Sequence, residues 1–278
     1  MKESNRLFEV DASRCVRCGA CVRDCFFGAL KAAEDGLPTL KSPDRCMRCQ
    51  HCLAICPKAA VTFDGKDPSR SVVRAEAALP SAEAVENWIR TRRSTRRYLS
   101  RDVEREKLDR ILKALANAPT GCNARGLTFT CYASSTAMAA FKARFIKAIE
   151  AHRDGTKLLP RWLAVPAIRM RKGGEDIFFR NAPGLLIVSS DETNPSVTTP
   201  TEDVAAACAD FEILAQAHGL GTCWCGFLRL VQREVPELLE KTSGIRRTTP
   251  FYAMLFGYPA VSYPRGVQRD DYAQIVYR

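Results

Sequence analysis

Eight cysteines fall into one pattern written twice. Cys15, Cys18, Cys21 and Cys25 form C-x2-C-x2-C-x3-C, and Cys46, Cys49, Cys52 and Cys56 repeat it 31 positions later. Thiolates at successive three-residue steps can wrap the corner of a compact inorganic cube, and the fourth, set slightly further on, reaches a second cube. Zinc favours two cysteine pairs across a longer gap, which close a tetrahedron. A disulfide framework belongs to small isolated scaffolds in oxidising compartments. The spacing points to two 4Fe–4S clusters.

The other chemistry-bearing residues come in four separated pieces. The run from Arg90 to Arg97, R-T-R-R-S-T-R-R, crowds guanidinium and hydroxyl groups that match phosphate oxygens and a polar sugar chain. Alone, such a run is more often a solvated face. Ala118-Pro119-Thr120-Gly121-Cys122-Asn123-Ala124-Arg125 is a turn whose amide and guanidinium suit the edge of a planar ring. Gly219-Leu220-Gly221-Thr222-Cys223-Trp224-Cys225-Gly226 lets backbone N–H groups approach a ligand, or simply caps a helix and turns. The tail adds Gly257-Tyr258-Pro259, Arg265 and Arg269.

Five cysteines remain beyond the two ladders. Cys131 and Cys208 read as small core residues, and Cys122, Cys223 and Cys225 as packing or as redox partners. Only three histidines occur. His51 either tunes a cluster or faces solvent, His152 lies in an irregular stretch, and His218 is placed to cap a helix C-terminus. No Ser/His/Asp arrangement or paired-carboxylate motif competes.

These residues need elements to hold them. Residues 7–10 and 61–63 read as short strands flanking the ladders, and the polar, turn-rich stretch after Phe63 reads as a connection. The chain divides into a cluster module over 1–64, a linker over 65–80 and a second domain over 81–278. A helix is expected from near Ser81, with Val85, Trp88 and Ile89 on its apolar side. Another follows Asp102 as N-cap, with Leu108, Ile111, Leu112 and Leu115 inward. Residues 127–133 read as a strand, and the next helix presents Met138, Phe141, Phe145 and Ile149. His152 to Arg180 reads as irregular, either a lid or a surface connection. Strands over 185–189, 251–256 and 273–277 and a helix over 201–218 complete an α+β fold, with helices around an antiparallel or mixed sheet.

At 278 residues the chain has room for one cysteine-rich module and one ordinary domain. Hydrophobic residues at 46% and charged residues at 26% are those of a globular protein. No apolar run approaches a membrane span, and the opening MKESNRLFEVDAS has neither a signal-peptide core nor a twin-arginine start. A cytoplasmic protein with no membrane partner is expected. Residues 1–64 hold ten Lys and Arg against eight Asp and Glu, so most of the +11 net charge sits in the second part. Its basic residues are not interleaved with aromatic platforms, so no nucleic-acid partner is expected.

Residues 1–64 resemble a bacterial two-cluster ferredoxin. That resemblance implies that Cys15, Cys18, Cys21 and Cys56 hold one cluster, and Cys46, Cys49, Cys52 and Cys25 the other. Pro57 follows Cys56 as in the family pattern, whereas Phe26 follows Cys25, a departure that removes no ligand. In order, R-R-S-x-R, A-P-x-x-x-N, G-L-G-T-C-W and G-Y-P…R resemble the FMN-dependent nitroreductase family over about 80–278. The whole chain is similar to ferredoxin–nitroreductase fusion proteins of anaerobic bacteria and archaea.

The resemblance implies FMN, its phosphate and ribityl chain held by Arg92, Arg93, Ser94 and Arg96, with Arg265 or Arg269 completing the grip. It implies a homodimer in which Pro119, Thr120, Gly121 and Asn123 approach the flavin across the interface. Cys225 and Gly226, with Phe227 as a further candidate, would offer N–H groups near flavin N5 and O4. Flavin N5 carries the chemistry, so no catalytic side chain is assigned. The implied enzyme is an oxidoreductase that passes electrons between clusters and FMN and reduces a nitro, quinone or related conjugated electrophile. A redox protein such as ferredoxin, or NAD(P)H, would be its partner. An electron-transfer or redox-sensing flavoprotein without a small substrate is the alternative, and a flavin-modifying or dehalogenating enzyme is a third.

Overall fold

The computed structural model describes residues 7–75, 77–153, 160–191, 193–269 and 273–278, in two compact units, Met1–Ser81 and Ala82–Arg278. In the first, the repeat in sequence is a repeat in backbone. The order is β1 (Phe8–Val10), α1 (Ala20–Arg23), β2 (Leu30–Ala32), β3 (Pro38–Leu40), α2 (His51–Ala54) and β4 (Val61–Phe63). Gly19 before α1 and Gln50 before α2 are both left-handed, at φ 71 and 62. Arg17 and Arg48, two residues earlier in each ladder, are left-handed as well, at φ 53 and 52. Left-handed residues in such turns can gather successive N–H groups into one concavity, which favours an anion.

Antiparallel pairs β1–β4 and β2–β3 close this unit, with Phe8 opposite Phe63 and Leu30 opposite Leu40. Its core is Cys21, Leu30, Cys52, Leu53, Val61 and Phe63. Two of those six are ladder cysteines, so whatever binds them is part of what holds the unit together.

The second unit runs α3 (Ala82–Thr91), α4 (Arg105–Leu115), β5 (Leu127–Tyr132), α5 (Ser135–Arg153), α6 (Arg161–Arg171), β6 (Gly184–Ser190), α7 (Pro200–Ala217), β7 (Gly221–Trp224), α8 (Gly226–Glu234), α9 (Pro236–Ser243) and β8 (Phe251–Gly257). Its strands form one antiparallel sheet ordered β5-β6-β8-β7. The central strands, GLLIVSS and FYAMLFG, are mostly apolar because both faces are covered. Leu185, Ile187, Ala253 and Leu255 face α5, α6, α8 and α9, and Leu186, Val188, Met254 and Phe256 face α4 and α7. This is an α+β fold.

Three expectations need correction. Asp102 does not cap α4, whose N-cap is Glu104. Its carboxylate instead accepts the N–H of Ser135 at 2.7 Å, at the start of α5. Residues 161–171 are helical, with Leu163 and Ala167 buried one turn apart; Pro166 inside the helix hides that periodicity in the sequence. Phe178 and Phe179 are core residues, and Phe178 stacks on Phe227 with centroids 4.0 Å apart. A packed aromatic cluster is no lid, and residues 154–159 of the stretch lie outside the described residues. Residues 273–278 form no strand, and Ile275, Val276 and Tyr277 are exposed. The tail lacks a neighbouring strand with which to share a ladder of hydrogen bonds. α3 is strongly two-faced, yet Val85 and Ile89 on its apolar side are exposed.

Candidate functional site

Cys15, Cys18, Cys21 and Cys56 line one cavity, with Val16, Arg17, Pro57 and Lys58 beside them. The first three thiols come from one ladder and the fourth from the other, as a cube shared between ladders requires. The donor set fits such a cluster. Ala60 N–H donates to Cys56 Sγ at 3.2 Å, and Arg17 and Lys58 bring positive charge to an anionic group. Burial raises the Cys21 thiol and pushes Cys52 up to about 12, so thiolates there need a metal to hold them. Cys46 and Cys49 lie close enough to add to the effect on Cys52. Cys25 is half-buried against the same small core. Among the described residues no three His, Cys, Asp or Glu close in on a single ion. His51 faces solvent, its Nδ1 3.3 Å from Asp24 Oδ2 at the end of α1.

In the second unit, three of the four pieces are stitched side by side. Thr95 N–H donates to Thr222 O at 2.8 Å, joining the arginine run to β7. Gly221 makes this approach possible, because a Cβ there would lie 2.2 Å from Thr95 Oγ1. On its other side the run pairs with the segment after β8: Leu99 N–H donates to Tyr258 O and Ala260 N–H to Arg97 O, each at 2.9 Å. Tyr98 lies between, its hydroxyl donating to Thr95 O at 2.7 Å and its pKa raised by burial. Arg101 and Lys107 stand 4.3 and 4.8 Å from the centre of the Tyr258 ring, and its hydroxyl donates to Glu104.

Arg92, Arg93 and Arg269 converge with Glu86, Ile89, Arg90 and Val267 on a cleft of ≈ 460 Å³. The tail reaches it because Gly266 packs against the Arg90 carbonyl, where a Cβ would come within 2.9 Å. Arg265, one residue earlier, is exposed, as is Arg96; Ser94 is half-buried. Arg92 Nη1 donates to Glu212 Oε1 at 3.2 Å, and Arg93 turns back onto the carbonyls of Arg90 and Thr91. The cleft offers several guanidinium groups and one acid on its rim, which suits a phosphate.

The remaining piece goes elsewhere. Thr120 is extended, Gly121–Asn123 form a single tight turn, and the loop is pinned to the start of α7. Gly121 N–H donates to Asp203 Oδ1 at 2.8 Å, as does the Thr199 hydroxyl. Pro119 precedes this turn, and Arg125 N–H closes it onto the Thr120 hydroxyl at 3.1 Å. Gly121 is thus tied to α7, and Thr120 and Arg125 to each other.

Cys225 N–H donates to Ala253 O at 2.8 Å, so that group belongs to the sheet and is not offered to a ligand. Gly226 and Phe227 stand in the first turn of α8, where N–H groups lack intrahelical partners. The Cys225 thiol is buried and pushed up to about 12, chiefly by that burial. Burial also raises Cys223, with the charges of Arg96, Arg180 and Arg92 opposing it. Burial favours the protonated form of both thiols. Cys208 and Cys131 are likewise raised by burial, to about 12 and about 11. His218 is the C-cap residue of α7.

The profile of the nitroreductase family matches residues 89–258, and that of the 4Fe-4S dicluster domain matches residues 8–57. The chain belongs to the nitroreductase family. It is a fusion, with a ferredoxin-type iron–sulfur domain ahead of an oxidoreductase of that family. The nitroreductase domain has the fold of a Bacteroides fragilis nitroreductase crystallised with FMN, at 22% identity over 71% of this chain and 100% of that one, TM-score 0.54. The iron–sulfur domain is 32% identical over 81 residues to a ferredoxin of Pyrobaculum islandicum, 29% of this chain and 64% of the ferredoxin. It is also 39% identical over 59 residues to an archaeal-type glutamate synthase (NADPH) of Thermotoga maritima, 21% of this chain. The chain spans only 12% of that relative's length.

Sequence reasoning missed four residues of the nitroreductase domain: Glu212, Asp203, Tyr98 and Arg180. A signal existed for the first two. Both sit on the apolar side of α7, among Val204, Cys208 and Phe211, where a carboxylate must find donors. Tyr98 and Arg180 carry no such mark.

Proposed function

We propose that the chain is an iron–sulfur flavoprotein that reduces a nitro, quinone or related conjugated electrophile, using two 4Fe–4S clusters and FMN. The observation that carries this reading is the cleft where Arg92, Arg93 and Arg269 meet, stitched to β7 by Thr95 and Thr222. With both kinds of group bound, two single-electron transfers and a proton balance one hydride delivered to the substrate.

The chain's own residues bind and orient. Cys15, Cys18, Cys21 and Cys56 hold one cluster, and Cys25, Cys46, Cys49 and Cys52 the other. Arg92, Arg93 and Arg269 grip the phosphate, with Arg96 and Arg265 at its margin and Ser94 toward the ribityl hydroxyls. Gly226 and Phe227 present N–H groups to the ring. Pro119, Thr120, Gly121 and Asn123 serve the site of a second copy, a reading supported by the tie of Gly121 to Asp203 of α7. Members of this family are commonly homodimers, and the exposed Val85, Ile89 and Val267 give a second copy apolar surface to cover. No described helix is long and apolar enough to cross a membrane, and eight ligand thiols call for a reducing compartment such as the cytoplasm.

Purified without oxygen, the protein should contain about eight irons and one FMN per chain. It should turn over a nitroaromatic or quinone with reduced ferredoxin as donor, tested beside NADH and NADPH. Zinc in place of iron, or a colourless second unit, would refute the reading. Clusters that discharge only into a protein partner would favour an electron carrier without a small substrate.

A further inference from the structure

Glu212 is a carboxylate where the fold has every reason to place an aliphatic side chain. It lies on the α7 face that contributes Val204, Cys208, Phe211 and Ala215 to the core and is only 9% exposed. A charge in that position persists only if donors meet it. Two do, both on Oε1: Arg92 Nη1 and the Thr222 hydroxyl, each at 3.2 Å. Thr222 is buried on β7, and its carbonyl accepts the Thr95 N–H. The acceptor for Arg92 is therefore fixed by a helix and a strand of the core.

Arg92 also lines the cleft with Arg93 and Arg269. A guanidinium carries five N–H donors, and Glu212 engages one of them, leaving capacity for a ligand. The other two cations are held differently. Arg93 donates to the backbone carbonyls of Arg90 and Thr91, and Arg269 stands on the exposed tail. A long side chain already held in one orientation loses less freedom when a ligand arrives.

We propose that Glu212 is a positioning residue: it sets the Arg92 guanidinium at the cleft and so makes the site select FMN over riboflavin. This rests on the reading above that the cleft receives the flavin phosphate. Two effects of Glu212 oppose each other. Its negative charge disfavours a phosphate, while its hold on Arg92 favours one. The hold prevails, because Arg92 stands in direct contact with that charge and offsets most of it.

The test is titration of the full-length, cluster-loaded, flavin-stripped protein with FMN and with riboflavin, the ratio of the two affinities being the readout. Glu212→Leu should weaken FMN roughly threefold to tenfold and leave riboflavin unchanged. Glu212→Gln keeps an acceptor oxygen and should fall between that variant and the native protein. In an Arg92→Ala background, Glu212→Leu should cost nothing further, since its effect runs through Arg92. Unchanged or tighter FMN binding, equal losses for both ligands, or additive losses in the double variant would overturn the inference. If the Leu variant does not fold, Glu212→Gln decides alone: an unchanged ratio sinks it. If Arg92→Ala itself leaves the ratio unchanged, the phosphate assignment fails first and the inference falls with it.

Discussion

The two units hold their reactive groups by opposite means. In the first, the reactive thiols come from a local repeat, and two of the six buried core residues are ladder cysteines. In the second, a sheet covered on both faces makes a large core without any cofactor, and the site is stitched onto its edge from distant pieces. One unit should depend on its inorganic content for its fold, whereas the other should depend on its fold for its content. Chain length explains the contrast: a unit of this size buries too little apolar surface to stand without a staple.

Stripping the iron gives the sharpest break. The first unit should lose its protected amides in hydrogen exchange while the second keeps its melting transition. Retention of protection over residues 7–63 without iron would erase the contrast. Next in size, Phe145→Ala should cost the second unit about 3–5 kcal/mol in denaturant unfolding, because the side chain is fully buried against Phe141, Phe178 and Phe179. Iron content should stay the same.

A third measurement addresses the stitched site. Arg93→Ala and Arg269→Ala should each weaken FMN by roughly 1.5–3 kcal/mol, the scale of a hydrogen bond to a charged group, and more at low salt. Melting of the second unit should barely move. Per pH unit a smaller effect is expected of alkali on Cys208, whose buried thiol is pushed from 9.0 to about 12. The folded state keeps a proton that the unfolded state releases, so this stability is complete below pH 9 and is lost as pH rises toward 12. The slope is about 1.4 kcal/mol per pH unit, and Cys208→Ala should flatten it. Least of all, Tyr98→Phe removes one hydrogen bond to Thr95 O and should cost the second unit about 1 kcal/mol in urea unfolding.

Much of the site was legible because it is written as residue types in short runs. Cys15, Cys18, Cys21 and Cys56 line one cavity as the ladders imply, and Arg92, Arg93 and Arg269 share a cleft. What escaped was commitment. The N–H of Cys225 serves the sheet, and Asp102 serves α5 rather than α4, since a donor's or acceptor's partner depends on what packs beside it. Trp162, Phe178 and Phe179 read as irregular because Pro166 and a glycine pair break the pattern around residues that are buried or packed against the core.

The ladder spacing by itself determined the metal chemistry, since three-residue steps fix how closely thiolates can gather. The motif order determined the family. Only tertiary structure decided that Arg92 meets Glu212 across 120 residues, that Gly121 meets Asp203 across 82, and that Asp102 meets Ser135 across 33. Local steps are constrained by covalent geometry, whereas pairings over such distances exist only once a core has closed and left a buried charge or an orphaned N–H in need of a partner.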